Sequence, residues 1–300
     1  VSGTRNGFFM QSLTPDDDPD TSEGLFVYSY LVGVAVGDHV RVTGTATEYY
    51  DLTQLSSVFQ IQVCSSNNSV EPTSFELPAT DLLDFERFEG MLVTIPQDLV
   101  ISEYYNFDRY GEIVLATERF MTFTAVNEPS VDGFAAWLNE FKLNSITLDD
   151  GRESQNPDPA IHPNGEEFTL DNRFRGGDLV SNVTGVMDYE FSKYRIQPTQ
   201  GATYTAENPR PETPELDPGF LKVASFNVLN YFTTIDTGAW ICGPSGDMEC
   251  RGADTAEELT RQRAKILAAL SGIDADIFGI MEIENDREGE SPDYAVADLV

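Results

Sequence analysis

The sequence predicts a mostly β protein: two small Greek-key β-barrel modules, a proline-rich linker, and the opening of a mixed α and β domain. Three observations predict it. Short runs of strand-forming residues alternate with Gly, Asp and Pro turn signals over residues 1–207. A Gly-Asp turn that leads into a strand through Thr-Gly occurs twice, at Gly37–Tyr49 and at Gly177–Tyr189 with one inserted residue. From residue 220 the pattern becomes an apolar strand, an amphipathic helix and a second apolar strand.

The first module is placed at residues 1–80, with strands at Gly7–Gln11, Gly24–Tyr28, Asp38–Thr43 and Phe59–Val63. In His39-Val-Arg-Val42 apolar and polar residues alternate, as in a half-buried strand. The second module spans 81–207. In each, the Thr-Gly strand is followed by one carrying Ile-Gln, at Ile61-Gln62 and Ile196-Gln197, and preceded by another, Gly7–Gln11 or Ile146–Asp149. The second module opens with a long strand, Gly90–Ile95 continuing as Leu99–Tyr105, that has no equivalent in the first. The expectation is that a strand before Val1 is missing. Gly133–Phe141 reads as a short amphipathic helix. Residues 151–167 read as a polar loop that carries His162 at the surface. Residues 208–219 form the linker, with four prolines between Asn208 and Pro218 favouring extended backbone.

The net charge of −33 comes from 51 Asp and Glu against 18 Lys and Arg. It is spread evenly: −24 over residues 1–219 (36 acids, 12 bases) and −9 over 220–300 (15 acids, 6 bases). Such a surface keeps a protein soluble and opposes tight non-specific binding to polyanions. A nucleic-acid substrate would therefore need metal cations to offset the repulsion. No apolar run approaches the ~20 residues of a membrane span, and no signal peptide is recognisable in this chain. Aromatic residues recur at Tyr49-Tyr50, Tyr104-Tyr105, Tyr189, Phe191 and Tyr194, where packing and base stacking are both open readings.

Cys242 and Cys250 share a Gly-, Pro- and Asp-bearing loop, which suits a short disulfide and an oxidising compartment; two free thiols are the other reading. Cys64, at a strand end, reads as a small core residue. The acidic loop Asp16, Asp18, Asp20 and Glu23 offers oxygen ligands for Ca²⁺, but its spacing is not that of an EF-hand, and a solvated turn is the alternative.

The C-terminal stretch carries the strongest chemical signal. The strand Leu221–Phe226 ends at Asn227, and Ile277–Met281 is followed at once by Glu282. Between them Thr255-Ala-Glu-Glu258 is a capping box that opens a helix with an apolar stripe of Leu259, Ile266, Leu267 and Leu270. Gly272 is the expected end of that helix. A strand–helix–strand unit of this length is a right-handed parallel crossover, which brings both strand ends to one edge. Asn227 and Glu282 can meet there, a carboxylate for Mg²⁺ or Ca²⁺ and an amide for a phosphate. The alternative is that both open turns, as strand-end residues commonly do.

Ala224-Ser-Phe-Asn227-Val-Leu-Asn230 with Ile280-Met-Glu282-Ile-Glu-Asn285-Asp286 resembles the opening of the endonuclease/exonuclease/phosphatase superfamily, the DNase I-like α+β four-layer sandwich. Cys250-Arg-Gly-Ala-Asp254 followed by Glu258-Leu-Thr-Arg261-Gln-Arg263 narrows the resemblance to large extracellular nucleases of the ExeM/NucH type. The upstream modules are similar to the OB-like domains found ahead of some such nucleases. The resemblance implies that Glu282 is a principal metal ligand, with Mg²⁺ as cofactor and Ca²⁺ as the alternative, and that Asn227 belongs to the phosphate- and metal-binding set. It also implies DNA as the substrate, hydrolysed by a metal-activated water outside the cell. No protein partner is implied.

Family members also use a downstream Asp-x-Asn pair, further acids and two histidines; neither an Asp-x-Asn pair nor a histidine follows Glu282 here. Ser291-Pro292-Asp293 reads as a helix start. The expectation is an N-terminal piece of a longer enzyme, inactive by itself. A phosphatase or sphingomyelinase of the same fold, or a non-catalytic module binding nucleic acid or polysaccharide, are the alternatives.

Overall fold

The computed structural model describes residues 6–30, 33–152, 154–213, 215–217, 219–285 and 294–300. Strand makes up 34% of the chain and helix 17%, so the protein is mostly β. Ser291, Pro292, Asp293 and Asp286 lie outside the described residues. Two compact units divide the chain, Val1–Pro211 and Glu212–Val300.

The first unit holds two sheets. A four-stranded sheet is built from β1 (Gly7–Gln11), β2 (Gly24–Tyr28), β3 (His39–Tyr49) and β4 (Leu52–Ser65), in the order β1-β2-β4-β3. All pairs are antiparallel except β2 with β4.

A nine-stranded sheet follows, from β5 (Thr73–Ser74), β6 (Leu92–Ile95), β7 (Leu99–Glu103), β8 (Ile113–Ala116), β9 (Ser145–Leu148), β10 (Leu179–Ser181), β11 (Val183–Glu190), β12 (Lys193–Pro198) and β13 (Thr203–Thr205). Its order is β13-β10-β7-β8-β9-β12-β11-β6-β5, curled into a half-barrel. Two continuous segments, 92–103 and 179–190, each supply two strands, and they meet at both ends of the row, as β6 with β11 and as β7 with β10. This sheet carries the main core. Val93, Ile95, Leu99 and Ile101 are fully buried there beside Leu115, Val180, Met187 and Ile196. Each such side chain contributes roughly 1.5–3 kcal/mol relative to exposure. Short helices α1 (Leu83–Glu86), α2 (Phe107–Tyr110) and α3 (Phe123–Val126) add Phe85, Phe107 and Phe123 to the buried set. Helix α4 (Val131–Leu143) covers the expected Gly133–Phe141, with the Ser130 hydroxyl accepting the Gly133 N–H.

Several expectations are corrected here. The pairing register makes Leu55, not Ile61, the counterpart of Ile196: Leu55 lies opposite Ala46 and beside Val27, as Ile196 lies opposite Met187 and beside Leu148. Likewise Gly24–Tyr28, not Gly7–Gln11, matches the strand around Ile146. The 14-residue β4 runs well past the part that corresponds to β12, so Ile-Gln recurs off register. Cys64 lies on that overhang and is exposed, not a core residue. His162 is 1% exposed, not a surface residue, because its loop folds back through an Ile161–Glu167 bridge.

The two sheets of this unit touch through Glu89. Its Oε1 accepts the Thr53 N–H at 2.8 Å, while its main-chain carbonyl accepts the Ser22 hydroxyl at 2.6 Å. Beside it the chain comes so close to Gly24 that a Cβ added to Gly24 would lie 2.3 Å from the Gly90 carbonyl carbon. Gly90 also has φ +77°, a conformation that costs side-chain-bearing residues.

In the second unit β14 (Val223–Tyr231) pairs in parallel with β17 (Ile277–Ile283), as the crossover predicts. Helix α5 (Ala256–Ile273) begins at Thr255, whose hydroxyl accepts the Glu258 N–H. It packs Ile266, Leu259, Leu267 and Leu270 on Val228, Tyr231, Phe226 and Ile280. The helix passes through Gly272 and is capped instead by Asp274 in the left-handed region, which Asp tolerates. A hairpin of β15 (Trp240–Cys242) and β16 (Met248–Glu249) is closed by a Cys242–Cys250 disulfide. Helix α6 (Tyr294–Asp298) adds Ala295 to this core. Its Asp298 accepts from Arg263 Nε at 2.7 Å and from the Tyr231 hydroxyl, which together hold its carboxyl below the usual range.

Two outcomes are expected. Burial pushes the Glu89 carboxyl from 4.5 up to about 7, against the Thr53 N–H that lowers it. A raised carboxyl stabilises the fold fully below pH 4.5 and loses that contribution as pH climbs through 7, in all about 3 kcal/mol. Urea unfolding between pH 5 and 8 should show this loss in the native chain and a flatter profile in Glu89→Gln; equal slopes would contradict it. Replacing Cys242 and Cys250 together by Ser should cost about 2–3 kcal/mol, read as a lower denaturant midpoint for the C-terminal unit. An unchanged midpoint would show that the bridge carries no stability.

Candidate functional site

The parallel register sets Asn227 opposite Met281, so Glu282 follows one residue later on the neighbouring strand. Asn227 and Glu282 are thus brought to the same end of one strand pair. The pairing then slips: the next partners are Tyr231 and Ile283, so four residues of β14 advance against two of β17. The slack is absorbed by left-handed backbone at Leu229 (φ 55°), Asn230 (φ 53°) and Glu282 (φ 59°). Such conformations in residues with side chains store about 1–3 kcal/mol each and gather at functional sites. The expectation that β14 ends at Asn227 is therefore adjusted. The strand bends there and continues to Tyr231.

Neighbouring groups sort the polar side chains. Asn227 Oδ1 accepts the Leu229 N–H at 2.8 Å, closing an Asx turn at the bend and leaving its amide N–H groups exposed. Gln262 of α5 donates to the Leu229 carbonyl at 2.8 Å and braces the same bend. Glu284 is structural, its Oε2 accepting the Thr233 N–H, the Thr233 hydroxyl and the Thr234 N–H at 2.8–3.1 Å. Glu282 is exposed, and its carboxylate makes no hydrogen bond among the described residues. The bracing by Gln262 and Glu284 had no sequence signal, since each acts through a backbone group more than thirty positions away.

One free carboxylate and one exposed amide are oxygen- and phosphate-directed chemistry, of the kind Mg²⁺ uses while keeping most of its waters. Among the described residues no group of three or more His, Cys, Asp or Glu is placed to hold a metal ion. In the Asp16–Glu23 loop the carboxylates mostly serve the loop itself. Asp16 accepts the Asp18 N–H at 2.8 Å, Asp18 the Asp20 N–H at 3.0 Å, and Glu23 the Asp16 N–H at 2.6 Å. Asp20 pairs with Arg87 at 2.9 Å.

The first unit hides a second polar cluster that sequence reasoning did not find. Arg195, 2% exposed, donates through Nη1 to Glu112 at 2.9 Å and to Asp149 at 2.6 Å. Burial raises the Asp149 carboxyl in spite of Arg195; burial also acts on Glu112, where Lys193 and Arg195 prevail and hold it low. His162 lies nearby, lining a small cavity with Asp149 and Asp150. Its Nδ1 accepts the Asn164 N–H at 3.1 Å, and burial lowers the pKa of the ring below the usual imidazole value. Of the recurrent aromatics, Tyr189 packs on Tyr194, Tyr49 on Tyr50 and Tyr104 on Phe174, and Arg195 lies over the Phe191 ring, while Tyr49, Tyr50, Tyr104, Tyr105 and Phe191 remain exposed.

No helix of the described residues is long and apolar enough to cross a membrane. No curated protein and no solved structure matches the chain. A family match begins within β3 and ends after β13, so it takes in the whole nine-stranded sheet and stops ahead of Asn227. It spans 162 of 300 residues, 47–208, and the chain belongs to the family described as Domain of unknown function (DUF8508).

Proposed function

We propose that the chain is the N-terminal part of a secreted nuclease that hydrolyses extracellular DNA with a divalent metal. Two OB-like modules would precede the opening of a DNase I-like domain. The observation that carries this is the parallel pairing of β14 and β17, which gathers Asn227 and Glu282 at one bent strand end. Glu282 is the carboxylate left free to hold Mg²⁺, because Glu284 is occupied by Thr233 and Thr234. Asn227, with its oxygen committed to Leu229, presents its N–H groups to a phosphate oxygen. Bound Mg²⁺ would supply charge neutralisation and an activated water for attack on phosphorus. It would also offset the net charge of −33, which otherwise repels DNA. The disulfide is consistent with an oxidising, extracellular setting.

A second reading is a non-catalytic binding module formed by the β unit, the part of the chain that the family match covers. A mobility-shift titration of the chain with DNA separates the two: tight, salt-sensitive binding by so acidic a chain would favour the module.

The enzymatic reading is tested on the complete parent protein, assayed for DNA cleavage with Mg²⁺. Cleavage should vanish on chelation and fall at least about tenfold in Glu282→Ala, whereas full activity of that variant would overturn the assignment. The 300 residues alone should show no turnover. The two histidines are His39 and buried His162, both outside the C-terminal unit, so no imidazole is there to move a proton.

A further inference from the structure

Buried polar atoms in folded chains almost always find a hydrogen-bond partner, and where no protein group serves, a ligand or an ordered water does. Two atoms of the first unit fall in that class, and their side chains border one cavity. His162, 1% exposed, has a buried Nε2 without a hydrogen-bond partner among the described residues, and Asp150 has a buried Oδ2 in the same position. Both side chains line a cavity of about 30 Å³, to which Leu148, Ile161, Val183 and Pro198 add apolar wall. Gly165 and Gln200, also in the lining, are exposed at the surface.

Both groups are held in place by the chain around them. The His162 N–H donates to the Glu166 carbonyl at 2.8 Å and its carbonyl accepts the Gly165 N–H at 2.8 Å, so the backbone closes a turn about the histidine. The Ala202 N–H, donating to the Pro163 carbonyl at 2.9 Å, ties that turn to the segment after β12. The imidazole then stands edge-on to the Tyr204 ring, with centroids 4.5 Å apart. Asp150 is fixed through its other oxygen, Oδ1, which accepts the Arg152 N–H at 2.9 Å. Gly111, at φ +73°, leaves the room its carboxyl needs: a Cβ there would lie 2.5 Å from Asp150 Oδ2.

The bond at Nδ1 decides what Nε2 can do. The Nδ1 lone pair is taken by the Asn164 N–H, and burial works against a second proton on the ring. The neutral imidazole therefore carries its hydrogen on Nε2, which makes that atom a donor and not a metal ligand. Asp150 Oδ2, in the ionised carboxyl, is an acceptor. An occupant that serves both must accept from one and donate to the other. A hydroxyl oxygen does so, whereas a bare cation or a carboxylate meets only one of the two needs. One water needs roughly 10–15 Å³ of such space, so the cavity has room for about two oxygen-sized groups. We propose that this cavity is a binding site for a hydroxyl group, that of water or of a small alcohol, which accepts the His162 Nε2–H and donates to Asp150 Oδ2. An alcohol would displace the water and turn its carbon to the apolar wall. The site belongs to the first unit and makes no use of Asn227 or Glu282.

The chain has two histidines, His39 and His162, so NMR of isotope-labelled ring nitrogens reads the site directly. At neutral pH His162 should be the Nε2–H tautomer, with a cross-peak from that proton to a bound water. Ethanol and glycerol, titrated separately, distinguish the two sources. A His162 Nε2 signal that moves as its water cross-peak fades, while His39 stays still, assigns the hydroxyl to an alcohol; an unmoved signal with the cross-peak intact assigns it to water. In Asp150→Ala the Nε2 proton should exchange with solvent about fivefold faster or more, the loss of one hydrogen bond. Should that variant not fold, a high-resolution crystal structure of the native chain decides, with an oxygen about 3 Å from both atoms. An Nδ1–H tautomer, an unchanged exchange rate in folded Asp150→Ala, or a dry cavity that takes up xenon would overturn the proposal.

Discussion

The first unit depends on one buried cation. Arg195 lies on β12 at the point where that strand runs beside β9, and its guanidinium reaches Asp149 just past the end of β9 and Glu112 just before β8. Three strands are therefore located by one side chain. Two carboxylates and a guanidinium removed from water cost several kcal/mol apiece, and mutual attraction recovers that only with good geometry. Here Lys193 and Asn106 add hydrogen bonds to Glu112, and Arg195 donates again to the Glu190 carbonyl. The arrangement is better read as fixing strand register than as adding net stability. The first sheet, with Gly7, Tyr28 and Gln54 at the matching positions, has no such ionic lock. Its register instead leans on the contact around Glu89, where the two sheets meet.

Much of this architecture was legible in the sequence, for identifiable reasons. The Gly-Asp and Thr-Gly pattern recurred because both copies need the same turn and the same hairpin entry, and the cap at Thr255 was visible because capping is local. The parallel pairing of β14 and β17 followed from the strand–helix–strand order and the length of the connection. What failed was whatever depends on long-range register. Ile61 and Ile196 share a dipeptide but not a place, because β4 overruns its counterpart. His162 looked like a surface loop residue because nothing local announces that its loop folds inward.

The candidate site shows the same division. That Asn227 and Glu282 share an end was readable from the strand–helix–strand order. The bend was not, since left-handed backbone at Leu229, Asn230 and Glu282 arises from an unequal advance of two strands. Nor could sequence decide which of Glu282 and Glu284 is free. Both look alike as strand-end acids. Glu284 is taken by the chain just beyond Tyr231, which turns back towards it.

The cysteines set a practical limit of a different kind. Two of the three are joined, so Cys64 is the sole thiol of the chain, standing in the open on the overhang of β4. An oxidising medium that preserves the Cys242–Cys250 bridge also favours coupling of Cys64 to its like on another molecule. A reductant strong enough to keep Cys64 single works against the bridge. Storage conditions for this protein are thus pulled in opposite directions by its own sulfur chemistry, and removing the one exposed thiol is the way to decouple them.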